Sequence, residues 1–346
     1  VFKAMPSRHL GALITIGAAI PLLVLTWPQL VGAQNSWVIA HIVSFRGLAV
    51  LSVTAAVLLL LLLSRAEALR RVTGLLAAVV MLFVIANAGI LLVRGVGHAG
   101  QASAGARTGA VTVLSWNTLG DAPGAAEIAR LALARGADIV TLAETTESTG
   151  VAVAKAMRAG GRPMWVHTIA FDHVSKARST TLLISPSLGR YEVDSTAGSG
   201  PPGNTNVLPT VVARPVDGTG PTVIAVHAVA PVRFEMSNWR SDLDWLATQC
   251  TGNVIMAGDF NATLDHMAGR AASASAVLGE CGDAALATGS GAVGSWPTWA
   301  PALLGTPIDH VLSSPNWQVE SMSVIGSEDS AGSDHRPIVA ELSPAG

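Results

Sequence analysis

Long apolar runs without a charge fill the first third of this chain and restrict what it can fold into. They cover about residues 10–30, a second stretch that begins near Val38 or Gly47 and ends at residues 58–63, and about residues 72–93. A helix needs roughly 20 mostly apolar residues to cross the hydrocarbon core of a bilayer. Residues 1–94 are therefore expected to form a membrane anchor of three transmembrane helices. A cleaved signal peptide would account for the first run alone. Pro21 and Pro28 are placed to bend or end the first helix, and Arg46 marks either the mouth of the second or a short interfacial segment before it.

Charge separates the anchor from the rest of the chain. Before residue 110, eight Lys and Arg face the single acid Glu67; after it, thirteen face twenty-two acids, so the two parts carry +7 and −9. The whole chain is 50% apolar and 13% charged, with a mean hydropathy of +0.48, which excludes a disordered or nucleic-acid-tail type of protein. Lys3 and Arg8 precede the first run, and Arg65, Arg70 and Arg71 lie between the second and third. The positive-inside bias puts both groups in the cytoplasm. Three crossings then give a multi-pass protein of the cell membrane with a cytoplasmic N-terminus and everything after Arg94 outside. Residues 95–110, GVGHAGQASAGARTGA, have the composition of a flexible linker, which would span about 20–24 Å and keep residues 111–346 near the bilayer.

Short runs rich in Val, Ile and Leu recur in the outer part at residues 111–115, 139–142, 180–184, 207–213, 222–226, 253–257, 308–312 and 338–341. They read as strands. Helical periodicity falls at 125–135, 151–159 and 238–249, and residues 195–206 read as a loop. Cys250 and Cys281 lie in this part, either bridged, as an oxidising compartment allows, or as two buried thiols. Neither has the spacing of a zinc site.

Polar residues sit where these strands end. Asn117, Glu144, His227 and Asp259 with Asn261 come directly after four of the runs. Ligands of layered α/β folds bind beyond the carboxyl ends of strands, so the groups are expected to converge.

The blocks Ser115-Trp116-Asn117, Leu142-Ala143-Glu144, Val226-His227, Gly258-Asp259-Phe260-Asn261, Ile308-Asp309-His310 and Ser333-Asp334-His335-Arg336-Pro337 resemble, in order, the signature of the endonuclease/exonuclease/phosphatase superfamily. That group includes pancreatic-type deoxyribonucleases, abasic-site endonucleases, bacterial sphingomyelinases and inositol polyphosphate phosphatases. The resemblance covers about residues 111–342. It implies an α/β (α+β) sandwich in four layers, two facing, mostly antiparallel sheets flanked by helices, and a divalent cation, Mg²⁺ or Mn²⁺. It assigns Glu144 and Asp334 to the metal, with Asn117 either adding an amide oxygen to it or holding the phosphate. His335 would act on a phosphoryl oxygen or in proton transfer, with Asp309 orienting its ring. Asp259 would orient or deprotonate the attacking water, and Asn261 would stabilise the pentacoordinate phosphorus. His227 matches a second phosphate-contacting histidine, but residues 175–185 lack the carboxylate that the deoxyribonuclease branch pairs with it.

Substrate selection is read from the surroundings. A charge of −9 opposes the phosphate attraction that drives non-specific nucleic-acid binding. Arg178, Arg233, Arg240 and Arg336 are candidates for a basic rim, and Trp296, Pro297 and Trp299 for an apolar lip that enters the bilayer interface or stacks a base. Of these, Arg178, Arg336 and Trp299 are taken as substrate-binding. An anchor joined to such a domain also resembles actinobacterial membrane proteins associated with resistance to teicoplanin-type glycopeptides. The leading expectation is a metal-dependent hydrolase of a lipid- or prenyl-linked phosphoester at the outer membrane face. The alternatives are a membrane-anchored extracellular nuclease and a non-catalytic envelope binding or sensor protein.

Overall fold

The computed structural model describes residues 7–66, 70–97, 109–196 and 199–346. The expectations for Lys3 and for linker residues 98–108 lie outside them, as do residues 197 and 198 of the loop. Helices α1 (Ser7–Thr26), α2 (Trp37–Ser44), α3 (Arg46–Leu63) and α4 (Arg70–Arg94) come first. The remainder runs β1 (Val111–Asn117), α5 (Gly124–Arg135), β2 (Ile139–Ala143), α6 (Glu147–Ala159), β3 (Trp165–Ala170), β4 (Ser179–Ile184), β5 (Tyr191–Val193), β6 (Val211–Pro215), β7 (Thr222–His227), α7 (Met236–Gln249) and β8 (Val254–Asp259). It ends with α8 (Leu264–Met267), β9 (Gly282–Asp283), α9 (Ala284–Ala287), β10 (Asp309–Ser313), β11 (Trp317–Val324) and β12 (Ile338–Pro344).

Two six-stranded sheets form among the described residues, in the orders β11-β12-β1-β2-β4-β3 and β5-β6-β7-β8-β10-β9. Each holds one parallel pair, β1 with β2 and β7 with β8, among antiparallel neighbours. A parallel pair needs a crossover, and α5 and α7 supply it, which explains why strong helical periodicity falls between those strands. Val113, Ile139, Leu182, Ala225, Ile255, Val311 and Ile338 pack between the sheets. Ile128, Leu131, Val153 and Met157 of α5 and α6 cover the outer face of one sheet; Trp239, Leu243 and Leu246 of α7 cover the other. The result is a mixed α/β sandwich in four layers. Cys250 and Cys281 are bridged, with their Cα atoms 5.8 Å apart.

Among the described residues, two of the three expected spans are long and apolar enough to cross a membrane, Arg46–Leu63 and Thr73–Arg94; the apolar part of the first, Gly11–Thr26, is shorter. Pro21 does not end α1, which runs through it to Thr26. Arg46 opens α3 directly after the short helix α2.

The sandwich is docked on the N-terminal helices. Asp265 of α8 accepts four hydrogen bonds of 2.8 Å from the guanidinium groups of Arg46 and Arg94, and one from Gln29. Arg46 also reaches the Thr26 carbonyl and the Asn87 amide. Burial would raise the Asp265 carboxyl, but the two arginines outweigh it and hold the group far below the carboxylate range. Burial lowers the His266 imidazole to about 4, so the neutral ring donates from Nε2 to the Ala40 carbonyl of α2. The expected linker starts bonded, since Ala292 N–H donates to Gly95 O and Gly97 N–H to Gly289 O.

Candidate active site

Strand register brings the polar groups together. His227 pairs with Asp259 across β7 and β8, and Asp309 pairs with Asp259 across β10 and β8, so three of the expected site residues form a row at one end of the second sheet. In the first sheet Asn117 pairs with Ala143, one residue before Glu144. Gly258 makes the row possible: its φ is +152°, and a Cβ there would lie 2.0 Å from the Val226 carbonyl oxygen. Glu144 and Asn261 adopt left-handed φ values of 54° and 47°. Such backbone strain in non-glycine residues clusters at functional sites.

The Ser333-Asp334-His335 turn is pinned to the end of β1. Ser333 Oγ donates to the Asn117 carbonyl at 2.6 Å, and the Trp116 indole donates to the His335 carbonyl at 2.8 Å. His335 Nδ1 meets Asp309 Oδ2 at 2.8 Å, while its Nε2 lies 3.8 Å from Asp259 Oδ2. Burial disfavours the imidazolium, but Asp309 and Asp259 outweigh it and raise the ring to about 10. Asp259 is pushed up to about 7 by burial and by the Asp309 charge, against the opposing effects of His335, Asn117 and Asn261. A buried carboxyl near neutrality beside a charged imidazole is the chemistry of a general base and a proton or hydrogen-bond donor.

Asp259, Asp309 and His335 place ligand-type atoms within 4.8 Å of one another. His335 Nδ1 and Asp309 Oδ2 engage each other at 2.8 Å, and Asp259 accepts from the Asn117 amide and the Asn261 N–H, so these groups also hold one another as a hydrogen-bonded set suited to proton transfer. The residues around Glu144 fit a hard divalent cation. Glu144 is raised by burial and by the charge of Asp334, so two carboxylates feel each other across the crevice. Asp334 Oδ1 is buried and lacks a hydrogen-bond partner, while its Oδ2 accepts from the Trp296 indole at 2.9 Å.

Not every expected residue takes its expected part. The Asn117 amide donates to Glu144 Oε1 and Asp259 Oδ2, and its oxygen accepts from Leu119 N–H, so it braces the carboxylates instead of presenting an oxygen to a cation. The Asn261 amide donates to the Ala228 carbonyl and Asp259, which makes it an orienting group for that carboxylate. His227 is buried and lowered to about 3, mainly by burial; Nδ1 has no partner, and Nε2 stands 4.0 Å from Glu144.

Arg336 does not face the crevice. It is buried, and its guanidinium donates to the carbonyls of Gly294, Pro297, Thr298 and Ala300 and pairs with Asp329, because a planar fork can tie several carbonyls of one loop at once. Arg178 is engaged with the Asn206 and Val207 carbonyls and with Asp172. Arg233 lies over the Trp37 ring and Arg240 on the Asn35 carbonyl, so both bind the N-terminal segment. Trp299 is 84% exposed on the loop that Arg336 holds.

The Endonuclease/Exonuclease/phosphatase family profile matches residues 114–335, from just before Ser115 to His335. The chain belongs to the endonuclease/exonuclease/phosphatase family. Its solved relatives include a member from Beutenbergia cavernae, 18% identical over 69% of this chain and 72% of that one, with a TM-score of 0.53. A humanized D. rerio TDP2 is 16% identical over 67% of this chain and 98% of that one, with a TM-score of 0.51. These likenesses establish the fold, that of the family's phosphoesterases and nucleases. No curated protein sequence matches the chain.

Proposed function

We propose that the protein is a divalent-metal-dependent phosphoesterase acting on a lipid- or prenyl-linked phosphate at the outer face of the cell membrane. The observation that carries this reading is that the rim of the crevice rests on the anchor: the loop bearing Trp296, Trp299 and Leu303 packs against the first turn of α3. Trp299 and Phe234, exposed by 84% and 90% on loops leading from the site, would lie at headgroup depth, where aromatic side chains are favoured. α1 is the third crossing in this reading, with Arg65, Arg70 and Arg71 inside and the catalytic domain outside. An anchored domain of this family also fits the teicoplanin-resistance architecture, which points to envelope lipid phosphates by analogy alone.

Glu144 and Asp334 would hold the Mg²⁺ or Mn²⁺, which when bound neutralises charge on the phosphoryl and leaving oxygens. Asp259, fixed by Asn117 and Asn261, takes a proton from the attacking water. His335, charged through Asp309, donates to a phosphoryl oxygen, and neutral His227 donates a further hydrogen bond there. A separate cleft of about 490 Å³ begins at Thr146 and carries Glu147 and Asp172 beside Lys176 and His173, so its own acids do not favour an anionic headgroup there.

Full-length protein assayed with Mg²⁺ against bilayer-embedded prenyl diphosphate, phospholipid and DNA oligonucleotides tests this. Release of headgroup or phosphate from the lipids is expected. Faster cleavage of DNA in liposome-free buffer would replace the reading with an anchored nuclease, and hydrolysis of none of them would favour a binding or sensor role.

A further inference from the structure

We propose that the anchor is a working part of the catalytic centre: Phe45, at the break between α2 and α3, seats the Trp296 indole, and Trp296 is a positioning residue for Asp334. The proposal rests on the reading of Glu144 and Asp334 as the cation's ligands. The Trp296 indole N–H occupies Asp334 Oδ2, which leaves the buried Oδ1 without a hydrogen-bond partner. A hydrogen bond of this kind fixes the direction from which a carboxylate meets a metal. Nothing else on the Trp296 ring is rigidly polar; its position comes from packing. The Phe45 ring lies 5.9 Å away, tilted by 55°, and the His335 ring 6.5 Å away.

The loop that carries Trp296 is tied at both ends. Towards the site, Thr298 N–H donates to the Asp334 carbonyl and Arg336 N–H to the Ser295 carbonyl. Towards the membrane, α3 runs so close to the loop that a Cβ on Gly47 would sit 1.9 Å from the Leu303 carbonyl oxygen. Phe45 is itself fixed, because its neighbour Arg46 is clamped on Asp265. Displacing the anchor therefore displaces Trp296, and through it the carboxylate.

The test is Mn²⁺ affinity, read by EPR of the free ion with full-length protein in nanodiscs. Trp296→Phe keeps a ring and removes the N–H; Phe45→Ala and Gly47→Val alter the anchor without touching the crevice. Trp296→Phe should weaken Mn²⁺ binding about tenfold or more. The two anchor variants should weaken it in the same direction, by at least about threefold, with Phe45→Leu restoring most of the loss. Val216→Ala, in the exposed turn at the far end of the strands, should not change it. Wild-type affinity in a folded Trp296→Phe protein, or in both anchor variants, would overturn the proposal. Failure of the wild type to bind Mn²⁺ would remove the metal reading, and this inference with it.

Discussion

Replacing Asp265 with Asn should loosen the sandwich from the N-terminal helices. The carboxylate is 2% exposed, Arg46 is 4% exposed and Arg94 17%. Asn has the same shape but can accept from only one side, so Arg46 would stay buried without a counter-charge. Removing one partner of a buried ion pair costs roughly 3–5 kcal/mol, against about 0–1 kcal/mol for a solvent-exposed pair. At about 1.4 kcal/mol per tenfold change, opening of the junction should become at least roughly a hundredfold more frequent. Hydrogen exchange reads this at the Gly291 and Ala292 amides, which donate to Arg94 O and Gly95 O. The folded Asp265 carboxyl is held below its unfolded value of about 3.9. Its contribution is thus complete above that pH and is lost only as pH falls towards the folded value. The gap between wild type and variant should stay constant from about pH 5 to 8. A loss below about 1 kcal/mol would refute the buried clamp.

The same contacts have other consequences. Activity should rise with pH as Asp259 deprotonates near 7, and Asp259→Asn should abolish both the limb and most of the rate; a flat profile would contradict its role as base. Asp309→Asn removes the partner that keeps His335 charged, so kcat should fall about 10²–10⁴-fold and the alkaline limb should move down from near 10. Because the folded His335 value exceeds the unfolded one of about 6.5, the stability that pair contributes is complete below that value and lost as pH rises towards 10. Arg336→Lys cannot span the four carbonyls of residues 294–300 and should cost roughly 3 kcal/mol or more, seen as a lower Tm.

Much of the sandwich is legible in the residue pattern because its polar groups lie at strand ends. The eight apolar runs fall within or overlap strands, although residues 207–210 precede β6. β3, an edge strand half exposed on both faces, and β11, with alternating polar residues, lack the continuous apolar run that marks a buried strand. The short strands β5 and β9 are too brief for any period. Asp309 and His335 stand out by motif, but the roles of Asn117, Asn261 and Arg336 depend on which way each side chain turns. The parts played by Asp265 and Trp296 leave no such mark. Their partners, Arg46 and Phe45, are more than 200 residues away in sequence, and no local pattern ties a carboxylate in a one-turn helix to an arginine at the start of a distant apolar helix. The lone charge of Arg46 before an apolar helix is the available signal: a buried cation demands a counter-charge.

The most direct test of the central claim is anomalous scattering from crystals of the full-length protein grown with Mn²⁺. A single peak bridged by Glu144 and Asp334 is expected, with His335 still bonded to Asp309. A peak on Asp259, Asp309 and His335, or none in the crevice, would contradict it.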